Sequence, residues 1–303
     1  MTANHRKAAD DWNERVRTDP FLWMAELVSD RDQLYASGKR DLDFLLQNIP
    51  ESVVSRARLL DVGCGIGRLT ALAKERVTSV AAADISDAAL TYAKDVVGPS
   101  SAVSYHTLNG SDLGGIEGPF EIIISFATLC HLPAPALLAY LRDFYHLVTP
   151  DGFVIIQMYV GSEHQFSETD SFSIRSYERG KLLRCLSEIG FSVQEVRDLL
   201  LPFDGRDHVF NRHPIVITLA RSQQPPRVVT PDQLLLSPSH TQLQSKSPSD
   251  EEGLVLREVN AYLAQHNLLA AQKLLKYWVS VNPNCQYELI DTLRMIDESL
   301  NES

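Results

Sequence analysis

Sulfur is scarce in this chain: 303 residues contain four cysteines, Cys64, Cys130, Cys185 and Cys285, and no two of them form a Cys-x-x-Cys pair. That scatter excludes a zinc ribbon and a dithiol redox motif, and it fits reduced thiols buried as small apolar residues, so no structural metal is expected. Long apolar runs are missing too. Nothing approaches the roughly 20 residues of a membrane-spanning helix, and the polar start Met1 to Asp11 lacks the apolar core of a signal peptide, so the expected compartment is the cytoplasm and no membrane partner is expected. Positive charge is in deficit, with 28 Lys and Arg against 39 Asp and Glu and a net charge of -11. Without a clustered basic patch, that balance disfavours nucleic acid and large polyanionic substrates.

What the chain does have is an apolar run, Leu59-Leu60-Asp61-Val62, passing directly into Gly63, Gly65 and Gly67 and then into a helical pattern. Glycines permit a sharp turn and a close approach of backbone to a ligand, while the next helix offers unpaired N–H groups. The spacing Gly-x-Gly-x-Gly departs from the Gly-x-Gly-x-x-Gly dinucleotide fingerprint and so counts against a nicotinamide oxidoreductase. A second apolar run, Val80 to Ala83, ends in Asp84, where an acid can accept both hydroxyls of a ribose.

From residue 57 onward apolar runs alternate with helical patterns, the signature of a parallel sheet covered on both faces. The pattern predicts strands near 57–62, 79–84, 102–107, 120–125, 152–159, 192–200 and 214–220. Helices are expected at 67–75, 87–96, 135–148 and 176–189, with Gly190 closing the last. Residues 1–50 read as an N-terminal helical cap, with Trp12, Val16, Leu34, Leu42 and Leu45 at helical spacings. Residues 222–250 are rich in Pro, Ser and Gln and read as a flexible linker, and 251–303 as a tail of three helices.

The succession Asp61-Val-Gly-Cys-Gly-Ile-Gly, Ala-Asp84-Ile-Ser, Asn109-Gly-Ser-Asp112-Leu, Phe120-Glu-Ile-Ile-Ile-Ser125 and Leu147-Val-Thr-Pro-Asp-Gly152 resembles the class I S-adenosylmethionine-dependent methyltransferases over residues 51–221. The resemblance implies an α/β, Rossmann-like, doubly wound sheet of seven strands in the order 3-2-1-4-5-7-6, the last antiparallel. It also implies S-adenosyl-L-methionine as cofactor. Its methionyl part would cross the turn at Gly63 and Gly65, with Asp61 facing the ammonium group. Asp84 would hold the ribose diol, Ile85 one face of the adenine, Asp112 and Leu113 the adenine edge, and Ser125 the end of the fourth strand. The segments Asp11-Trp-Asn-Glu-Arg15 and Tyr35-Ala-Ser-Gly38 resemble the helices that small-molecule methyltransferases fold over cofactor and acceptor. The tail from Ala261 to Pro283 looks like part of a tetratricopeptide-type helix pair; one repeat cannot bury its own faces, so a protein partner, self-association or packing on the catalytic domain would have to complete it.

Methyl transfer from a sulfonium needs acceptor, methyl and sulfur in line, and a hydroxyl acceptor gains from a nearby base, for which histidine is the usual choice at neutral pH. His131, just past the fourth strand, is the first candidate, with His164 after the fifth strand and His208 in the last hairpin as competitors on the acceptor side. Two absences narrow the acceptor: after the fourth strand stands Ser125-Phe-Ala-Thr128, without the Asn/Asp-Pro-Pro-aromatic element of amide and exocyclic-amine methyltransferases, and Cys130 lacks the proline of the pyrimidine-carbon enzymes. The expected reaction is methylation of a small-molecule acceptor, a hydroxyl oxygen first among them. The alternatives are a nitrogen or macromolecular acceptor recruited through the tail, and a non-catalytic cofactor-binding scaffold.

Overall fold

Leu59 to Val62, Val80 to Asp84 and Ile122 to Ser125 are buried without interruption, as strands covered on both faces must be. The computed structural model describes residues 3–21, 31–161, 171, 174–199, 212–235 and the single positions 259, 271, 272, 275, 293 and 296. Helices α1 (Ala3–Thr18), α2 (Arg31–Leu46) and α3 (Glu51–Val54) precede β1 (Arg58–Val62), α4 (Thr70–Ala73), β2 (Ser79–Asp84), α5 (Asp87–Val97), β3 (Val103–Thr107) and β4 (Phe120–Ser125). A 3-10 turn at Leu129–His131 leads to α6 (Ala134–Leu147), β5 (Val148–Gly161), β6 (Ser176–Tyr177), α7 (Arg179–Ile189), β7 (Phe191–Asp198), β8 (Arg212–Arg221) and α8 (Pro231–Leu234).

The strands form one sheet in the order β3-β2-β1-β4-β5-β8-β7, with β7 and β8 antiparallel. This is the expected doubly wound order. The eighth strand is the two-residue β6, which pairs parallel with Tyr159 and Val160 and occupies the start of the stretch expected as helix. The helix begins later because Glu178 caps it, accepting from the N–H groups of Gly180 and Lys181. Gly190 closes it in the left-handed conformation, as expected. Strand β5 begins at Val148, with a register shift opposite Phe120 to Ile122, earlier than its apolar run alone indicates.

One face of the sheet carries Leu60, Val62, Ile123, Val154, Ile156 and Met158 against α6 and α7. Side chains alternate along a strand, so Asp61, Ile124, Ile155 and Gln157 point to the other face. The smaller apolar cluster, Val16, Leu34, Ile66, Ala71, Ala89, Val96 and Val97, is built largely from α1, α2, α4 and α5.

The segment read as the first half of a linker behaves otherwise. Val229 and Leu234 are fully buried in the main core. Ser222 and Arg227 donate backbone N–H groups to the carbonyls of Gly190 and Glu188 at 2.7 and 2.6 Å, and Thr230 with Gln233 forms a capping box that opens α8. Averaged over the whole stretch, Pro, Ser and Gln mask a few well-spaced apolar residues that suffice to dock it. The chain separates into two units, 1–199 with 214–235, and 200–213 with 236–303. In the second unit Val259, Ala271, Gln272, Leu275, Leu293 and Ile296 are helical, and Val259, Ala271, Leu275 and Ile296 are buried.

Candidate functional site

The carboxyl ends of β1, β2 and β4 meet at the glycine turn. Gly63, Gly65 and Gly67 have φ of 76, 52 and 82°, the left-handed region that disfavours any residue with a Cβ. At Gly63 a Cβ would also stand 1.9 Å from Thr128 Oγ1, so the turn and the β4 exit can approach only because Gly63 has no side chain. The Gly63 and Cys64 N–H groups both donate to the Ala83 carbonyl, which pins the turn to β2.

Asp84 is 6 % exposed and receives one backbone N–H on each oxygen: Gly65 on Oδ2 and Ser86 on Oδ1, both at 2.9 Å. A carboxylate has about four acceptor positions, and with the Ile85 N–H also favouring its charged form it keeps capacity for a further donor such as a ribose hydroxyl. Asp61, 1 % exposed, accepts the Thr70 hydroxyl on Oδ2 at 2.6 Å. Burial pushes its carboxyl up to about 6, against the opposing pull of the Thr70 hydroxyl and with a further push from Asp84. Burial likewise raises Asp84, while the backbone N–H groups of Ser86, Gly65 and Ile85 hold it down.

The wall beyond β2 contains the other residues expected to line the cofactor. Ile85 Cδ1 lies 2.8 Å from where a Gly110 Cβ would be, so Gly110 is the space that lets Ile85 lie flat there. Asp112 accepts Asn109 Nδ2 and the Gly114 N–H on Oδ1 and the Ser111 hydroxyl on Oδ2, and those bonds hold its carboxyl low. Most of its acceptor capacity is therefore spent inside its own turn. Leu113 is buried, and its N–H donates to Asp143. Over this wall runs α1: His5 approaches Gly110, and Asn13 Oδ1 accepts from Ser86 Oγ at 2.8 Å and the Ala88 N–H at 3.0 Å.

At the β4 exit, Ser125 is fully buried and gives its hydroxyl proton to the Val62 carbonyl, tying β4 to β1. Ala127 has φ 55°, and its N–H is held by Gln157 Oε1 at 3.0 Å. His131 ends the 3-10 turn, with its ring edge-on to Trp12 of α1 at 5.2 Å. Buried Arg175 receives that turn from behind, through its N–H to the Cys130 carbonyl and its Nη1 to the His131 carbonyl at 2.6 Å. His131 is thus brought to the same end of the sheet as Asp61 and Asp84. His164 and His208 lie outside the described residues, as do Glu163, Asp204 and Asp207. No cluster of three potential metal ligands occurs among the described residues.

Sequence reasoning missed Asn13, Gln157, Arg175 and Arg68. Arg68 follows the last glycine of the turn and donates through Nη1 to Asp41 of α2 at 2.5 Å, both side chains being buried. Only its place after the glycines signalled it, since the partner lies 27 residues earlier.

Residues 59–152 match the methyltransferase domain family. The match covers about a third of the chain, from β1 into β5. The thiocyanate methyltransferase 1 of Brassica oleracea is 26% identical over 132 residues, which are 43% of this chain and 58% of that protein. The ubiquinone biosynthesis O-methyltransferase of Pseudomonas aeruginosa is 30% identical over 101 residues, 33% of this chain and 43% of that protein. The chain thus spans about half the length of the curated relatives it matches. Among solved structures, the magnesium protoporphyrin IX methyltransferase of Synechocystis PCC 6803 with bound SAM superposes with a TM-score of 0.53 at 16% identity, over 73% of this chain and 99% of that one. At that identity the likeness concerns the fold. In this chain the glycine turn, Asp84 and the β4 exit lie together at the carboxyl ends of the parallel strands of the sheet. No helix of 18 or more described residues is apolar enough to cross a membrane.

Proposed function

We propose that this protein transfers a methyl group from S-adenosylmethionine to a small-molecule acceptor, and that the acceptor atom is a hydroxyl oxygen. The observation that carries the reading is Asp84: a buried carboxylate at the end of β2 that takes one backbone N–H on each oxygen and keeps acceptor capacity for a further donor. The residues fit the cofactor elsewhere too. The left-handed glycines admit close approach of a chain at Gly63 and Gly65, and the buried Asp61 carboxylate is a partner for an ammonium group.

When bound, the cofactor's sulfonium supplies the electrophilic methyl. The protein's own part is orientation: Asp84 holds the diol, Asp61 the ammonium, and the turn from Ala127 to His131, clamped by Gln157 and Arg175, presents a fixed wall at the β4 exit. His131 at the end of that turn accepts the hydroxyl proton of the acceptor, with Trp12 fixing its ring. α1 excludes water above the cofactor wall through His5 and Asn13.

The test has two arms. Calorimetry should give binding of S-adenosylmethionine and S-adenosylhomocysteine but not NAD, lost in Asp84→Ala; absence of binding to the intact chain would sink the reading. Transfer from methyl-labelled cofactor is then assayed on polyhydroxylated sugars and catechols, and on thiocyanate and iodide as proton-free acceptors. Transfer to hydroxyls that fails in His131→Ala is expected. Turnover of the anions alone, indifferent to His131, would replace the hydroxyl acceptor with an anionic one.

A further inference from the structure

From Val154 to Met158 strand β5 is buried without interruption, and Gln157, 2 % exposed, is the one polar residue in that run. A primary amide brings a carbonyl and two N–H donors into the sheet, and each is costly to bury without a partner. The oxygen has one, the Ala127 N–H at 3.0 Å. Because that contact is itself a donor, it fixes which end of the amide is oxygen and turns the NH2 group away from it. Among the described residues Nε2 has no acceptor, and it is not one of the unpaired side-chain atoms that their neighbours seal from open space.

The place of the amide says what it meets. The β4–β5 pairing ends at Ser125 opposite Ile156, so Gln157 stands at the lip where β4 stops, at the carboxyl edge where ligands of such sheets bind. Its side chain lies on the face that carries Asp61. Ala127 beside it is exposed, and among the described residues it is the one non-glycine held at positive φ. Four residues on, the same short turn ends in His131. Holding that strained turn needs only an oxygen at position 157, which a glutamate would supply as well. The NH2 group is surplus to it.

We infer that Gln157 is an acceptor-binding residue whose NH2 group donates to a second oxygen of the substrate, beside the hydroxyl that is methylated, so that the acceptors are vicinal diols or catechols. The methylated oxygen itself is the wrong partner, because a donor on it would occupy a lone pair and weaken its attack on the methyl carbon. The second oxygen is a near neighbour of the first because Gln157 and His131 serve one turn of five residues. The inference rests on the function proposed above and adds to it the second group by which the substrate is recognised. The competing role is a clamp on Ala127 alone, which would slow all acceptors alike.

The experiment measures methyl transfer by the full chain from labelled S-adenosylmethionine to paired probes, catechol against phenol and cis-1,2-cyclohexanediol against cyclohexanol. The intact protein should favour the diol of at least one pair by about tenfold or more in kcat/KM, the fold-change of one hydrogen bond. Gln157→Met should erase that preference by slowing the diol more than its partner, with S-adenosylhomocysteine bound as tightly as before. Gln157→Glu keeps an oxygen for the Ala127 N–H but, ionised at alkaline pH, has no donor. It should lose the preference too, and it stands in if the Met variant fails to melt cooperatively. Equal rates on both members of each pair, equal loss on both in the variants, or a preference that survives them would overturn the inference. So would an intact chain that binds S-adenosylhomocysteine and methylates neither diol. Should the intact chain bind no S-adenosylhomocysteine, or turn over thiocyanate and iodide alone, it is the proposed function that fails.

Discussion

Asp61 sets stability against binding. Its folded carboxyl stands at about 6, above the ordinary 3.8, because burial disfavours the charge. A raised acid stabilises the fold when protonated: the contribution is complete below about pH 4 and is lost as pH rises through about 6. The difference corresponds to about 3 kcal/mol. Asp61→Asn, whose amide oxygen can still accept from Thr70, should match the parent's stability near pH 4 and exceed it by up to that amount at pH 7.5 in denaturant titrations. A stability difference independent of pH would dispose of this account. Ligand binding should run the other way. S-adenosylhomocysteine, with its ammonium group, should bind the parent more tightly as pH rises from 5 to 7 and release protons near pH 6, and both effects should vanish in Asp61→Asn. Asp84→Asn is more severe, since it sets an NH2 group against one of two backbone N–H donors; a loss of about 1–3 kcal/mol of stability is expected from one unsatisfied donor, along with loss of binding. Asp61, inside its run, was singled out in the sequence only by the family resemblance, whereas Asp84 was legible because it ends an apolar run just before Ser86. Gln157 and Arg68 were not, because what gives them a role is a partner 30 or 27 residues away, and no local pattern reports such a meeting.

At the scale of elements, α2 is fastened at its middle and at its C-terminal end. Asp41 and Gly38 fix it to the glycine turn, and Arg197 of β7 caps its last carbonyls, donating to Phe44 at 2.5 Å and Leu45 at 3.4 Å. α1 is held differently, by Asn13 at the start of α5, by the Trp12 contact with His131 and by Asp11, which accepts from Ser171. Helical spacing revealed both helices, whereas the latch could not be read because asparagine in mid-helix normally signals nothing more than solvent exposure. Removing the latch with Asn13→Ala withdraws two hydrogen bonds worth about 0.5–1.5 kcal/mol each. Amide exchange across residues 3–18 should accelerate about tenfold or more while β1, β2 and β4 stay protected. Unchanged exchange in α1 would mean that its apolar contacts, Val16 foremost, hold it without the latch. The same separation explains how much of the sheet was foreseen. Fully buried strands announce themselves as apolar runs, whereas β6 is two residues long and exists only because Tyr159 and Val160 lie beside it.

For the whole molecule, the decisive boundary falls at Leu235, where the first unit closes, rather than at the end of β8. Composition placed it at residue 221, since Pro, Ser and Gln dominate the stretch from 222 to 250; packing moves it, because Val229 and Leu234 fill the main core alongside α6 and α7, with Arg142 donating to the Val229 carbonyl and Lys181 Nζ to that of Leu235. Two fully buried aliphatic side chains contribute about 1.5–3 kcal/mol each. A chain ending at Leu235 should therefore melt as one cooperative unit and bind S-adenosylhomocysteine within about twofold of the full chain. One ending at Arg221 should melt roughly 10 °C lower, by the usual 2–4 °C per kcal/mol for a domain of this size. Restoring Val229 and Leu234 in the context of residues 222–235 should recover the difference, and Val229→Ala with Leu234→Ala in the longer chain should reproduce most of it. If both truncations melt alike, the segment is a passenger on the core. If the chain ending at Leu235 loses binding while remaining folded, residues 1–235 do not suffice for it.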